Sequence, residues 1–120
     1  MPLLNDLYTL VQQPQLQGTR CRLNPDSTIY RAHFPGHPIT PGVCILMMVT
    51  EVAGVIAGRS LALDSAPTVK FLKPIRPLEN PTIVIVLDRL EATDEHHLKA
   101  RGTIKNDQGD LFTRFSLILR

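Results

Sequence analysis

The sequence predicts an α+β domain in which a mostly antiparallel sheet curls around one long helix. Residues 42–57 form an apolar stretch of helical length that carries a single charge, Glu51. Four segments rich in β-branched or alternating apolar residues follow this stretch, and turn-forming residues separate them. The chain has 120 residues, which is enough for one compact core. We therefore expect residues 1–120 to fold as a single domain.

The part of the chain before the long helix is predicted to hold one short helix and one strand. Apolar residues at helical spacing predict a short amphipathic helix within residues 3–12, ended by Pro14. Residues 15–23 alternate between polar and apolar side chains, which is typical of a strand. Residues 24–27, Asn-Pro-Asp-Ser, predict a turn, and residues 28–34 are expected to be a short extended piece.

The long helix is predicted to begin at Gly42 and to end at Ala57. Pro41 directly precedes its first turn, and Thr40 is the expected N-cap residue. Gly58 suits the left-handed conformation that commonly follows a helix. Apolar side chains point in almost every direction around the axis, so this helix is expected to be buried on all sides.

The sheet is predicted to come from the segments on either side of the helix. Those after it are expected to be strands, namely residues 67–72, 82–90, 96–105 and 111–119, with a hairpin turn at 106–109. A single sheet of this size leaves one edge and part of the helix uncovered. A symmetric dimer would cover both.

Composition excludes several classes of function. The net charge of +2 and the lack of like-charge blocks argue against nucleic-acid binding. Residues 43–57 are too short and too interrupted for a membrane span, which needs about 20 apolar residues. No signal peptide is recognisable, and Cys21 and Cys44 lie in segments predicted to be buried. We expect reduced cysteines in a cytoplasmic protein, with a disulfide as the alternative.

The loop before the long helix concentrates residues that can carry chemistry. Prolines and glycines surround His33 and His37 there, and such a loop holds side chains in fixed positions. An imidazole titrates near neutral pH, so His33 is a candidate general base. The alternative is a histidine that only hydrogen-bonds within the loop. The two histidines do not share a helix face and no cysteine or carboxylate cluster accompanies them, so no metal site is predicted.

This loop also carries a family resemblance. The string H-F-P-G-H-P-I-T-P-G-V, from His33 to Val43, resembles the signature of the hotdog-fold 3-hydroxyacyl-(acyl carrier protein) dehydratases, the FabZ/FabA-like family. The family pattern is close to H-F-P-x-x-P-x-x-P-G-V, and every fixed position is matched. Residues 69–77, V-K-F-L-K-P-I-R-P, are similar to a later strand of the family, K/R-F-x-x-P-v-x-P. The resemblance implies a single hotdog domain over residues 1–120, assembled as a homodimer or a higher oligomer.

The resemblance implies an active site shared by two subunits, where a histidine of one faces a carboxylate on the long helix of the other. His33 occupies the position of the catalytic histidine. Gly42 occupies the position whose amide, at the positive end of the helix dipole, polarises the thioester carbonyl. The family reaction needs no cofactor. Residues implied to contact the substrate are Phe34, Pro41, Val43 and Met47.

The chain departs from the family at the carboxylate position, fourteen residues after the histidine, where it carries Met47. A thioether can neither donate nor accept the proton that the reaction moves. Glu51 follows one helical turn later on the same face and is the candidate substitute acid, because desolvation would keep it protonated. The alternatives are a Glu51 that points to solvent or binds neighbouring backbone groups. Met47 itself is expected to face the site and could contact an acyl chain.

Three hypotheses for function follow. The first is a dehydratase that eliminates water from 3-hydroxyacyl thioesters, giving trans-2-enoyl thioesters. The second is a non-catalytic relative that binds acyl chains or acyl carrier protein, or that pairs with an active paralogue as a hetero-oligomer. The third is a hotdog thioesterase, which Met47 and the H-F-P-G-H-P string both disfavour.

The predicted partner is an acyl carrier protein, which is acidic and carries its acyl group on a phosphopantetheine thioester. Basic side chains could form a docking patch for it, and ordinary solvated charges are the alternative. The candidates are Lys70, Lys73, Arg76, Arg101 and Arg114, of which Lys73 and Arg76 flank the second motif.

Overall fold

The structure, a computed structural model, describes residues 2–120. The elements within this range are β1 (Tyr8–Leu10), β2 (Thr19–Leu23), α1 (Thr28–Ala32), α2 (Gly42–Ala57), β3 (Leu63–Phe71), β4 (Thr82–Ala92), β5 (Leu98–Lys105) and β6 (Leu111–Leu119). No helix in the described range is long and apolar enough to cross a bilayer.

The six strands form one sheet in the order β1-β2-β4-β5-β6-β3, and every neighbouring pair is antiparallel. Alternate side chains of the strands are buried together with residues of α2, so helix and sheet share one core. Core residues from the two include Met48, Val49, Val52, Ile83, Ile85, Ile104 and Leu117. The predicted α+β class is therefore confirmed.

Helix α2 begins at Gly42 and ends at Ala57, as predicted. Gly58 adopts the left-handed conformation with φ 74°, and its amide donates to carbonyls of the last turn. The predicted N-cap is wrong, because Pro41 takes that place without any side-chain cap. The hydroxyl of Thr40 instead shares a 2.7 Å hydrogen bond with the Tyr30 hydroxyl, so it is not available to the helix.

The prediction that α2 is buried on all sides is wrong for the single chain. Val43 is 64% exposed and Val55 is 41% exposed. Both ends of β3 lie beside α2, because Leu63 borders a cavity with Val55 and Phe71 borders one with Gly42. Strand β3 stands at the end of the sheet order and pairs with β6. One edge of β3 and one side of α2 are therefore open together, as the sequence predicted for an isolated subunit.

Two short elements before α2 differ from the predictions. The prediction of an amphipathic helix within residues 3–12 is wrong, because the chain makes one tight turn there and then forms β1. Asn5, with φ 70°, interrupts the helical path. The Glu51 carboxylate accepts hydrogen bonds from the Leu3 and Leu4 amides of this turn. The prediction of an extended piece at 28–34 is also wrong, because helix α1 occupies Thr28–Ala32. The Ser27 side chain caps α1 by accepting from the Ile29 amide.

Candidate active site

The proline-rich loop is a rigid hook between α1 and α2. Its tip is the turn from Phe34 to His37, in which Pro35 and Gly36 take the two central positions and Gly36 has φ 77°. The His37 amide donates to the Phe34 carbonyl at 2.9 Å, which closes the turn. Proline first and glycine second is the sequence that this type II geometry requires. The base of the hook is closed by the His33 carbonyl, which accepts from the amide of residue 39 at 2.7 Å.

The imidazole of His33 lies on the outside of this hook. His33 is the C-cap residue of α1, and its ring packs edge-on against the Phe34 ring with centroids 5.6 Å apart. Both side chains are exposed, and neither lines the two cavities that adjoin α2. Within one chain, His33 therefore has an oriented ring and an open face.

The start of α2 is held in place from two sides. The Tyr30–Thr40 hydrogen bond and the Thr40 amide, which donates to the Ile75 carbonyl at 2.9 Å, fix the segment before it. The Gly42 amide is in the first turn and has no acceptor among residues 2–120, so it points out of the helix unpaired. A cavity of about 390 Å³ adjoins Gly42 and is bordered by the Phe71 ring.

Gly42 is required by the approach of Phe71. A Cβ atom on Gly42 would lie 2.9 Å from the tip of the Phe71 ring, closer than such atoms pack. The glycine of the first motif and the phenylalanine of the second therefore meet at the start of the helix. Sequence spacing alone did not predict this contact.

A larger cavity of about 800 Å³ lies further along α2, and we call it the Met47 cavity. Met47 and Glu51, one helical turn apart, both line it. The remaining lining comes from later residues of α2, from residues 59–63 and from the segment before β1. Met47 therefore lines a cavity and gives that wall an apolar surface, and its place in an active site stays a prediction.

Glu51 is held by groups of its own chain. Its Oε2 accepts from the Leu3 amide at 2.7 Å, and its Oε1 accepts from the Leu4 amide at 3.2 Å and from the Tyr8 hydroxyl at 3.0 Å. Burial first, and then the Glu51 charge, raise the pKa of the Tyr8 phenol far above its ordinary range, so Tyr8 stays a donor. These contacts favour the alternative in which Glu51 binds neighbouring backbone groups.

The candidate residues therefore occupy three places in one chain. Phe34 lies with His33 on the hook, and Pro41 and Val43 lie with Gly42 at the helix start. Met47 and Glu51 line the Met47 cavity. The rise of an α-helix puts Met47 about 7.5 Å beyond Gly42 along the axis. Sequence analysis missed Tyr8 and the amides before β1. The sequence indicated these partners only in general terms, because a carboxylate in an apolar helix requires hydrogen-bond donors around it.

The predicted basic patch is only partly assembled. Lys70 and Arg114 lie directly opposite one another on β3 and β6, whereas Arg101 is paired with Asp88 at 2.7 Å. Lys73 borders the cavity at the helix start and lies 3.7 Å from an aspartate. Exposed pairs of this kind contribute little to stability, but they offset the positive charge of Lys73 and Arg101.

Comparison with known families decides the classification. Residues 11–109 match the family model of ApeI-like proteins, whose description is ApeI dehydratase. This chain belongs to the ApeI-like dehydratase family. The resemblance to hotdog dehydratases inferred from the hook motif is thereby confirmed.

Curated relatives of this ApeI-like chain are 3-hydroxyacyl-(acyl-carrier-protein) dehydratases named FabZ. The protein of Geotalea uraniireducens is 33% identical, and the match covers 50% of each chain. The protein of Latilactobacillus sakei is 27% identical over 74% of this chain and 69% of its own length. The chain therefore spans about half the length of the first of these relatives.

Solved structures confirm the hotdog fold for this ApeI-like protein. A chain of the dehydratase heterocomplex ApeI:P from Xenorhabdus doucetiae aligns with a TM-score of 0.65 and 23% identity, covering 93% of this chain and 96% of that one. The BH2602 protein of Bacillus halodurans, solved with CoA, aligns with a TM-score of 0.61 and 11% identity, covering 92% of this chain and 69% of that one.

Proposed function

We propose that this protein is one subunit of a dehydratase that eliminates water from 3-hydroxyacyl thioesters. A single observation carries the proposal: the hook presents His33 in the family position, while the carboxylate position on α2 is Met47 and faces a cavity. This chain supplies His33 as the base and the Gly42 amide at the start of α2. A second and different hotdog chain is the partner subunit, and it supplies the acid.

The reaction assigned to this composite site is an elimination. His33 removes a proton from C2 of the substrate, and the electrons of that C–H bond form the C2–C3 double bond. The C3–O bond breaks, and the partner's carboxylic acid protonates the departing oxygen to give water. The Gly42 amide stabilises the negative charge that develops on the thioester oxygen. The product is a trans-2-enoyl thioester, and no cofactor enters the balance.

The open edge of β3 supports a shared site. The open edge of β3 and the uncovered side of α2 are adjacent, so a second hotdog domain set against this edge would cover both. The ApeI:P neighbour is described as a heterocomplex, which favours two different chains over two identical ones. We further propose a cytoplasmic location, supported by Cys21 and Cys44, which are both free.

Acyl carrier protein is the proposed donor of the substrate. The relatives named FabZ are dehydratases of acyl groups on this carrier. Lys73 beside the helix-start cavity and the opposed Lys70 and Arg114 supply positive charge for an acidic partner.

A gain-of-function experiment tests this assignment. In Met47→Glu, two copies of this chain would hold both halves of the site, so the purified variant should hydrate a trans-2-enoyl pantetheine thioester. We expect a rate at least about 10²-fold above that of the wild type alone, the usual contribution of a general acid. Met47→Gln introduces a side chain of the same shape as glutamate that cannot act as a general acid, so it should stay at the wild-type rate. Addition of His33→Ala to Met47→Glu should abolish the gain.

An inactive Met47→Glu that remains folded and dimeric would refute the assignment. A second candidate is a homodimer in which Glu51 is the acid, and the location of Glu51 in the same cavity favours it. That candidate requires the wild-type chain alone to be active and Glu51→Gln to be inactive. Tyr8→Phe keeps the carboxylate and removes one of its donors, so it should retain activity in that case.

A further inference from the structure

The open edge of β3 carries a proline at its centre. Strand β3 has nine residues, Leu63–Phe71, and the exposed Pro67 is the middle one. The register of β3 against β6 shifts on both sides of Ser65, so the strand is bulged before Thr68 and regular after it. Prolines and bulges on an edge strand limit its pairing with another sheet. The centre of this edge is therefore the place where pairing is restricted.

The regular half of β3 shows to which side Pro67 belongs. The Leu72 amide, one residue beyond the strand, donates to the Phe112 carbonyl at 2.8 Å and so points toward β6. Successive amides of a strand point to opposite sides, so every second amide back to Thr68 also faces β6. The amides between them face the open edge, and Pro67 is the next position on that side. Its missing amide is therefore a missing donor of the open edge, and the ladder with β6 is not affected.

A proline at this place weakens the pairing of two identical chains more than that of two different chains. Two copies joined along β3 by a two-fold axis have antiparallel strands, and the same edge meets itself. If the whole strand pairs, Leu63 faces Phe71, and Pro67 faces the Pro67 of the second copy. Neither proline donates, so both hydrogen bonds of the central pair are missing. A shifted pairing that avoids Pro67 keeps only residues 68–71, less than half of the strand.

We propose that Pro67 makes this chain select a hotdog partner different from itself. The inference rests on the proposed function, in which the second subunit is a different hotdog chain. The occupant of the open edge is the edge strand of a chain that places a residue other than proline opposite Pro67, and the amide of that residue donates to the Pro67 carbonyl. Such a pair keeps one of the two central hydrogen bonds, whereas two copies of this chain keep neither. Pro67 is thus a specificity-determining residue for the assembly of the shared site.

Self-association of the intact chain, measured by sedimentation velocity over a series of concentrations, tests the proposal. Pro67→Ala restores the amide, so two copies of the variant regain both central hydrogen bonds. We expect its dissociation constant for self-association to fall at least about 25-fold below that of the wild type, at about fivefold for each bond. Pro67→Ser restores the same amide with a different side chain and should give the same gain. Subunit exchange between wild type and Pro67→Ala should give a mixed pair about fivefold tighter than the wild-type pair.

Pro81→Ala is the matched control, because Pro81 is also exposed and precedes β4, which lies inside the sheet. It should leave self-association unchanged, and an equal gain in this variant would overturn the proposal. A folded Pro67→Ala that self-associates as the wild type does would also overturn it and leave the composite site standing. Tighter association of Pro67→Ala and Pro67→Ser together with an inactive Met47→Glu would do the reverse, since selection against self-pairing would stand and the proposed reaction would fall.

Discussion

At the scale of single residues, Glu51 and Met47 do not have the surroundings that their side-chain chemistry suggests. The carboxylate, which could move a proton, is occupied by three donors of its own chain. The thioether, which cannot, lines the cavity at the position where the family resemblance implies a carboxylate. The polar group of this helix therefore maintains structure, and its apolar neighbour lines the open cavity.

Buried acids elsewhere in the core make stability depend on pH. Burial raises the pKa of the Cys21 thiol from 9.0 to about 12, and burial also raises the pKa of Tyr30 from 10.0 to about 12. The unfolded chain loses these protons at lower pH than the folded chain does. The resulting stabilisation is complete below pH 9 for Cys21 and is lost as the pH rises to about 12.

We expect Cys21→Ala to flatten the alkaline decline in stability between pH 9 and 12, because the variant has no thiol to ionise at this site. Urea denaturation at several pH values measures the slope. Val49→Ala, a cavity-forming change in the same core without a titratable group, should lower stability equally at every pH and keep the wild-type slope. A Cys21→Ala slope equal to that of the wild type would contradict the prediction.

Residue roles were predictable from sequence only where a local motif carried them. Pro35 and Gly36 dictate the turn of the hook by their own backbone preferences, so the hook could be expected. The partners of Glu51 are more than forty positions away in the chain. No pattern in one sequence identifies which amides a distant carboxylate will bind.

At the scale of elements, the limits of α2 were predictable because proline and glycine mark both ends. Strand β6 was likewise predicted at Leu111–Leu119 from its alternation after a hairpin turn. The prediction for the segment before β1 failed because contacts with distant residues, and not a local signal, decide its structure. Its leucines have helical spacing, but the energy of the Glu51 contacts and the pairing of β1 with β2 outweighs a weak local helix preference.

The contact between α2 and the end of β3 gives a prediction at this scale. Gly42→Ala places a methyl group against the Phe71 ring, which must rotate away or push the helix start outward. We expect a loss of about 1–2 kcal/mol in the free energy of unfolding, measured by urea denaturation. In the Phe71→Ala background the same change should cost much less, because the obstructing ring is absent.

This double-mutant comparison separates the ring contact from the backbone. Gly42 does not have a positive φ, so alanine should be tolerated at the first helical position once the ring is removed. An equal loss in both backgrounds would show that the Phe71 contact is not the cause.

At the scale of the whole molecule, the single chain leaves an edge of β3 and one side of α2 uncovered. Its sheet ends at β3, where exposed apolar side chains lie at both ends of the strand: Val55 lies with Leu63 around the Met47 cavity, and Phe71 and Leu72 adjoin the start of α2. An open strand edge beside an apolar helix side favours association with another sheet. The sequence indicated this opening from the length of the chain, but it could not indicate the identity of the partner.

The oligomeric state offers the last prediction. Val43 is 64% exposed in one chain, so Val43→Lys should leave the stability of an isolated subunit nearly unchanged. In an assembly that covers α2, the same lysine would be buried without a partner, which costs several kcal/mol. In the absence of another hotdog chain, two copies of this one can pair through the same open edge of β3. Sedimentation velocity over a series of concentrations should therefore show a self-associated wild type and a Val43→Lys variant that is folded but dissociated, with association weakened at least about 100-fold.

The control for this experiment lies at the other end of the sheet. Val11 follows β1, the strand furthest from β3 in the sheet order, and it is 48% exposed. Val11→Lys introduces the same charge on a comparable valine, and it should sediment as the wild type does. If both lysine variants dissociate, added charge rather than the covered helix explains the effect; if neither does, the uncovered side of α2 is not where the subunits meet, and the shared site proposed above loses its basis.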